Sequence, residues 1–351
     1  MPESPGCSGG GVPSNRRTSR APGRSSMNRR VLLVSNLDAS FVSLDREILA
    51  EIGDVRHLIY RGRRQLPQLA LQIARADLIM CWFVLGYATT SVLLGRALRK
   101  PVVLIPGGWD VRLIPEIGYG AMTTQSRIRK TRYALRRADL VLAISSDIAA
   151  AARSWEDRQV EVLHLGVDTR RFQPGGSRDG SILTVAGANN EIDSQRKGLS
   201  GFVKVAHLFP RRTFVHVGHL APPVRQSLGK ICPPNVLFAG RLNDCELLDR
   251  FQRASVYYQV SAHEGFGLAI AEAMACGCTP VVSDRGAIPE VVGQSGYYAE
   301  YSDLESIYEA VRMALDRPTG DAARKRIVDQ FQIARRRERL LGYVEHLLSQ
   351  S

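Results

Sequence analysis

Eleven short apolar runs constrain this chain more than any other feature. The first six are VLLVS (31–35), VRHLIY (55–60), LIMCW (78–82), VVLIP (102–106), LVLAIS (140–145) and VEVLHLG (160–166). A Pro/Gly/Ser-rich break follows at Gln173–Gly180. Five more runs come after it: ILTVAG (182–187), TFVHVG (213–218), VLFAG (236–240), VYYQVS (256–261) and TPVVSD (279–284). Stretches of helical spacing separate them. Strands that are apolar throughout are covered on both faces, as in a parallel sheet between helix layers. Two series of strand–helix alternation predict an α/β chain with two doubly wound, Rossmann-like domains facing a cleft. A length of 351 residues suits that count.

Charge is the compositional outlier. Lys and Arg number 47 against 34 Asp and Glu, a net charge of +13. Residues 1–30 hold six arginines against Glu3, so +5 of the +13 lies there. That stretch is rich in Gly, Ser and Pro, and residues 1–27 are expected to form a disordered tail. Met27 stands just before the first apolar run, and the native chain is expected to start there. A basic balance invites nucleic acid, an anionic membrane or a phosphorylated small molecule. Nucleic acid fits poorly, because no helix-turn-helix, zinc or RNP-like pattern is present and aromatics make up only 7%. No GxGxxG follows the first run, which argues against a dinucleotide dehydrogenase. The scattered cysteines form no CxxC pair, so reduced thiols in a cytoplasmic protein are expected. Residues 78–95 lack any charge, but their Gly, Tyr, Thr and Ser content favours a buried strand and helix over a membrane span.

The second series carries the chemistry. Ser261-Ala-His-Glu264 leads into Gly265-Phe266-Gly267-Leu268, and Glu272 follows one turn into a predicted helix. The two glycines allow close backbone approach to a ligand. The helix start presents free N–H groups and a positive dipole end, a site for phosphate. Eight helical residues would separate the carboxylates by about 12 Å. A retaining glycosidase pair needs roughly 5–5.5 Å, so these two serve different ends of one long ligand, such as a sugar and a ribose flanking a pyrophosphate.

Glu264–Glu272, read EGFGLAIAE and followed by AMACGCTPVVSDRGAIPEVVG, resembles the E-x7-E donor motif of the family 4 (group 1) glycosyltransferases. Four further segments resemble elements of the same family: Gly166-Val167-Asp168 with Phe172 and Pro174, Lys197-Gly198-Leu199, Phe238-Ala-Gly240-Arg-Leu242, and Gly107-Gly108-Trp109-Asp110 with the stretch Pro115–Gly120. The likeness extends over about residues 28–348.

The resemblance implies a GT-B fold and transfer of a sugar from a nucleotide-diphosphate donor, with retention and without a metal or cofactor. The acceptor would be a glycan, a lipid-linked molecule or a small molecule. Alternatives on the same fold are a nucleotide-sugar epimerase and a non-catalytic relative. The implied domains are 28–172 on the acceptor side, 173–333 for the nucleotide sugar, and a helix at 334–351 packing back on the first. Among candidate catalytic residues, Glu264 would hold donor sugar hydroxyls and Lys197 and Arg196 the leaving pyrophosphate, with Asp110 in the cleft. Donor-binding candidates are Gly265, Phe266, Gly267, Leu268, Glu272, Leu242 and Gly187, with Glu272 on the ribose. Acceptor-side candidates are Ser40, Phe41, Trp82, Gly108 and Trp109. The sequence departs from the family at Gly187-Ala188, where arginine is common, and at Cys81-Trp82-Phe83 and Gly107, where histidine is common.

One basic segment lies outside these motifs. Arg127–Arg137 has helical spacing, with Ile128, Ala134, Leu135 and Ala138 on one side and cations on the other. It reads as a solvated face, or as a peripheral contact with an anionic membrane, which would place the protein at the inner face.

Overall fold

The computed structural model describes residues 29–350. The expected tail and start at Met27 lie outside them.

The first half forms a parallel sheet from β1 (Arg29–Ser35), β2 (Gly53–Ile59), β3 (Leu78–Trp82), β4 (Val102–Ile105), β7 (Leu140–Ala143) and β8 (Glu161–Val162). Its order is β2-β1-β3-β4-β7-β8. A small antiparallel hairpin, β5 (Leu113–Ile114) with β6 (Tyr119–Gly120), leaves the sheet after β4. The second half holds β9 (Ile182–Val185), β10 (Phe214–Val217), β11 (Val236–Gly240), β12 (Val256–Gln259), β13 (Thr279–Val282) and β14 (Tyr297–Tyr298). Its order, β11-β10-β9-β12-β13-β14, reverses between β9 and β12. That reversal is the crevice where such sheets bind ligands.

Burial explains the strands. All five residues of β3 and all four of β4 are buried, as a central strand between two helix layers requires. Residues 78–95 divide into β3 and α3 (Gly86–Ala97). Among the described residues no helix is long and apolar enough to cross a membrane.

Some helices start where the sequence offers oxygen acceptors. Thr124 caps α4 (Gln125–Arg137), Ser145 caps α5 (Ser146–Trp155), and Asn243 forms a capping box with Glu246 on α9 (Asp244–Arg253). In α4, Thr131, Ala134 and Leu135 are buried, Ile128 is half-buried, and the basic residues face outward.

The chain crosses between the halves twice, and the crossings lie side by side. The Val167 amide donates to the Phe331 carbonyl and the Ile333 amide to the Val167 carbonyl. Gly166 is required at this contact, since a Cβ there would lie 2.6 Å from the Ile333 Cα. The break at residues 173–180 is not at the crossing. It is docked on the second half, where Arg178 donates to the carbonyls of Ala254 and Cys276.

The last helix, α14 (Ile333–Ser349), buries Arg336, Leu340, Val344 and Leu348 and packs on α1 (Ser40–Leu49) of the first half. Arg336 forms a bidentate pair with Asp45, both bonds at 2.7 Å, and donates to the carbonyls of Leu163 and His164. One continuous apolar core therefore runs from the first sheet through Phe266, Ile270 and Phe331 to α14.

Candidate functional site

The candidate site forms where the loop after β12 enters α10 (Leu268–Ala275). Gly267 takes the left-handed backbone (φ 89°) that turns the chain into α10, and no side chain caps the helix. The first amides of α10 therefore lack a capping side chain at a positive dipole end.

Glu264, 7% exposed, lies just before that turn. Its Oε1 accepts from Lys197 Nζ at 2.7 Å and from Gln259 Nε2 at 2.6 Å, with Arg196 Nη1 at 3.8 Å. Burial by itself would raise the Glu264 carboxyl. Lys197 and then Arg196 overcome it and bring the pKa to about 2, so Glu264 is ionised at neutral pH. Lys197 and Arg196 end α6 (Glu191–Arg196) and reach the loop because Ala262 N donates to the Arg196 carbonyl. Several buried polar atoms here have no partner: Arg196 Nε, His263 Nδ1 and Ser261 Oγ.

Glu272 faces elsewhere. It follows Leu268 by one helical turn, and both line a cavity of about 450 Å³ between the two halves. Burial pushes its carboxyl up to about 8, against the pull of Arg171. Asp168, Asp244, Ser40 and Phe41 share this cavity. Ser40 and Phe41, expected on the acceptor side, thus border the same space as Glu272, because α1 begins on that wall. Leu242 packs on the core just ahead of the Asn243 cap, and Gly187 is exposed at the end of β9. Neither lines this cavity.

The first half meets the loop edge-on. A Cβ on Gly265 would lie 2.5 Å from the Gly107 carbonyl oxygen, so only glycine permits this approach. Ser145 Oγ donates to the Gly265 carbonyl at 2.7 Å. Phe266 is buried against His164 and Phe331, so its ring anchors the loop while its backbone stays at the turn.

Two expectations are corrected. Asp110 is fully buried, and its carboxylate accepts from the amides of Val84, Gly107 and Gly108 at 2.7–3.0 Å. It ties two loops together rather than facing the cleft. Trp82 is fully buried and donates to Asp45 Oδ2, so it belongs to the core pair with Arg336 and not to an acceptor wall. Trp109 is 42% exposed, with Arg127 over its ring, and Gly108 packs close to Gly265.

Other residues escape sequence reading. Buried His263 bonds Asp147 Oδ2 at 3.1 Å across the interface, and Asp147 is also held by Arg112. Glu290 accepts from the Ser146 amide and hydroxyl and pairs with His164, joining three parts of the chain. Phe83 has φ 64° directly after β3, a strained position for an aromatic residue. Glu290 and His263 lie inside quoted stretches and Phe83 inside a departure from the family pattern, whereas Asp147 and Arg112 carry no local pattern that marks them.

Comparison with known proteins agrees with this geometry. Residues 181–317 match the family model for group 1 glycosyl transferases. The chain is 32% identical over 233 residues to the MMP alpha-(1->4)-mannosyltransferase of Mycolicibacterium hassiacum, covering 61% of this chain and 54% of that protein. It is 28% identical over 239 residues to the alpha-maltose-1-phosphate synthase of Mycobacterium tuberculosis, covering 57% and 61%. The chain therefore spans less than two thirds of either relative. The Anabaena protein Alr3699/HepE, solved in complex with UDP, has the same fold, with a TM-score of 0.76 over 91% of this chain and all of that one at 14% identity. The architecture is thus GT-B, and residues 181–317 of its second half are similar to the group 1 glycosyl transferases.

Proposed function

We propose that this protein is a retaining glycosyltransferase using a nucleoside-diphosphate sugar. The observation that carries the reading is the division of labour across α10. An ionised Glu264 with two cations and unpartnered donors stands before the helix, and a separate carboxylate, Glu272, opens on a cavity one turn inside it. Glu264 would hold sugar hydroxyls, the α10 amides with Lys197 and Arg196 the diphosphate, and Glu272 the ribose.

In the reaction the bond from the sugar C1 to the diphosphate oxygen breaks. A bond from C1 to an acceptor hydroxyl forms on the same face, and the hydroxyl proton leaves on the departing diphosphate. Charge grows on that diphosphate, and fixed cations and dipoles aimed at it lower the barrier. Lys197 would exchange its contact with Glu264 for the diphosphate. Both relatives carry "alpha" in their names, which suits retention from an α-configured donor.

The Anabaena structure with UDP supports a nucleotide donor. The outward basic face of α4 supports a peripheral contact with an anionic membrane at its cytoplasmic face, which salt-sensitive binding to anionic vesicles would check. A thermal-shift panel of UDP, GDP and ADP tests the donor reading. A nucleotide at 100 times its dissociation constant adds about 2.7 kcal/mol. No shift with any of them would sink the reading. Conversion of the sugar without any acceptor would favour an epimerase instead.

A further inference from the structure

A second cavity, also about 450 Å³, opens in the first half at the carboxyl ends of β1, β2 and β3. Here the strand order reverses, since β1 lies between β2 and β3. Three cations border it: Arg61, Arg63 and Lys130. No carboxylate lines it. Among the described residues none of the three forms a side-chain ion pair, whereas Arg132 and Arg136 on the helix of Lys130 pair with Glu156. The hydroxyls of Thr89 and Thr90 on this wall donate to the carbonyls of Lys130 and Gly86, and α3 begins here at Gly86.

The wall is tied to the reaction centre. Leu85 and Gly86 follow Val84, whose amide donates to Asp110. Asp110 in turn fixes Gly107 and Gly108, which pack on Gly265. A ligand seated in this cavity is therefore held by the loop that touches the donor motif.

We infer that this cavity binds an anionic phosphate group of the acceptor. Three unpaired cations in a carboxylate-free pocket match a phosphate monoester or diester, and charge-assisted bonds are the strong ones. The inference rests on the donor reading for the word acceptor, but the phosphate site stands on its own measurement. The phosphate can come from a soluble sugar phosphate or from a lipid headgroup.

The test titrates glycerol 3-phosphate into the full chain by calorimetry, and sediments the chain with phosphatidic acid vesicles against phosphatidylcholine vesicles. The wild type should bind at least one phosphate probe saturably. The triple variant Arg61→Gln, Arg63→Gln, Lys130→Gln should weaken it by about tenfold or more, while Lys197→Ala should retain it. Circular dichroism checks that the variants fold. Binding of the soluble probe alone identifies a soluble acceptor, and vesicle binding lost in the triple variant identifies a lipid one. Absence of binding to both probes, or binding unchanged in the triple variant, would overturn the inference. Failure of the nucleotide panel with phosphate binding intact would overturn the donor reading alone.

Discussion

Two buried ion pairs divide this molecule. Arg336–Asp45 joins the last helix to the first half, and Lys197–Glu264 stands before α10. The first pair is complete. Asp45 accepts from Arg336 Nε and Nη2 and from the Trp82 indole, and Arg336 Nη1 donates to two carbonyls. The second is crowded by atoms without partners, among them Arg196 Nε and His263 Nδ1. A fully satisfied pair is scaffold, because nothing remains to bind a ligand. A pair with idle donors around it has a site's chemistry, since buried polar groups left alone are costly and rare. Both lie in basic runs, and nothing in composition separates them.

The sharpest break of this comparison is Arg336→Ala. It strands a buried Asp45 and should cost about 3–5 kcal/mol of stability. Denaturant unfolding reads it, and a loss below 1 kcal/mol would deny the scaffold role. Lys197→Ala comes next. Turnover should fall about 10²–10³-fold, and stability should fall less than in Arg336→Ala, because Arg196 and Gln259 still face Glu264. A variant that loses stability instead of turnover would make the second pair scaffold too. Asp110→Asn should cost about 1–3 kcal/mol, because an amide nitrogen then faces a backbone N–H. Its turnover should drop with every acceptor, since the loop it fixes touches Gly265.

A further effect is pH-dependent. Glu272 holds its proton to about 8 in the folded chain, above its ordinary 4.5. The folded state then binds more protons than the unfolded one between those values, so this group lowers stability as pH rises from 4.5 to 8. Glu272→Gln should flatten that part of the stability profile. An unchanged slope would show that Glu272 is ionised and solvated in the cavity.

Much of this was legible in the sequence. Apolar runs such as LIMCW announced the strands, and Glu264 and Glu272 flanking Gly265-Phe-Gly267 marked the turn into α10 where the candidate site lies. Local pattern suffices there because strand, turn and helix start are consecutive in the chain. Asp110 and Trp82 were misplaced because their partners are distant: Val84 lies 26 residues from Asp110, and Asp45 lies 37 from Trp82. The crossing at Val167 and the bond between His263 and Asp147 depend likewise on segments that meet only in the folded chain. The proposed phosphate cavity follows that rule, since Arg61 and Arg63 after β2 meet Lys130 of α4 only in the folded chain.

The most direct measurement of the central claim is calorimetric titration of UDP, GDP and ADP into the wild type and Lys197→Ala. The account predicts that at least one diphosphate binds one-to-one and that the variant binds it about tenfold or more weakly. Equal affinity in both proteins, or no binding by any diphosphate, would contradict it.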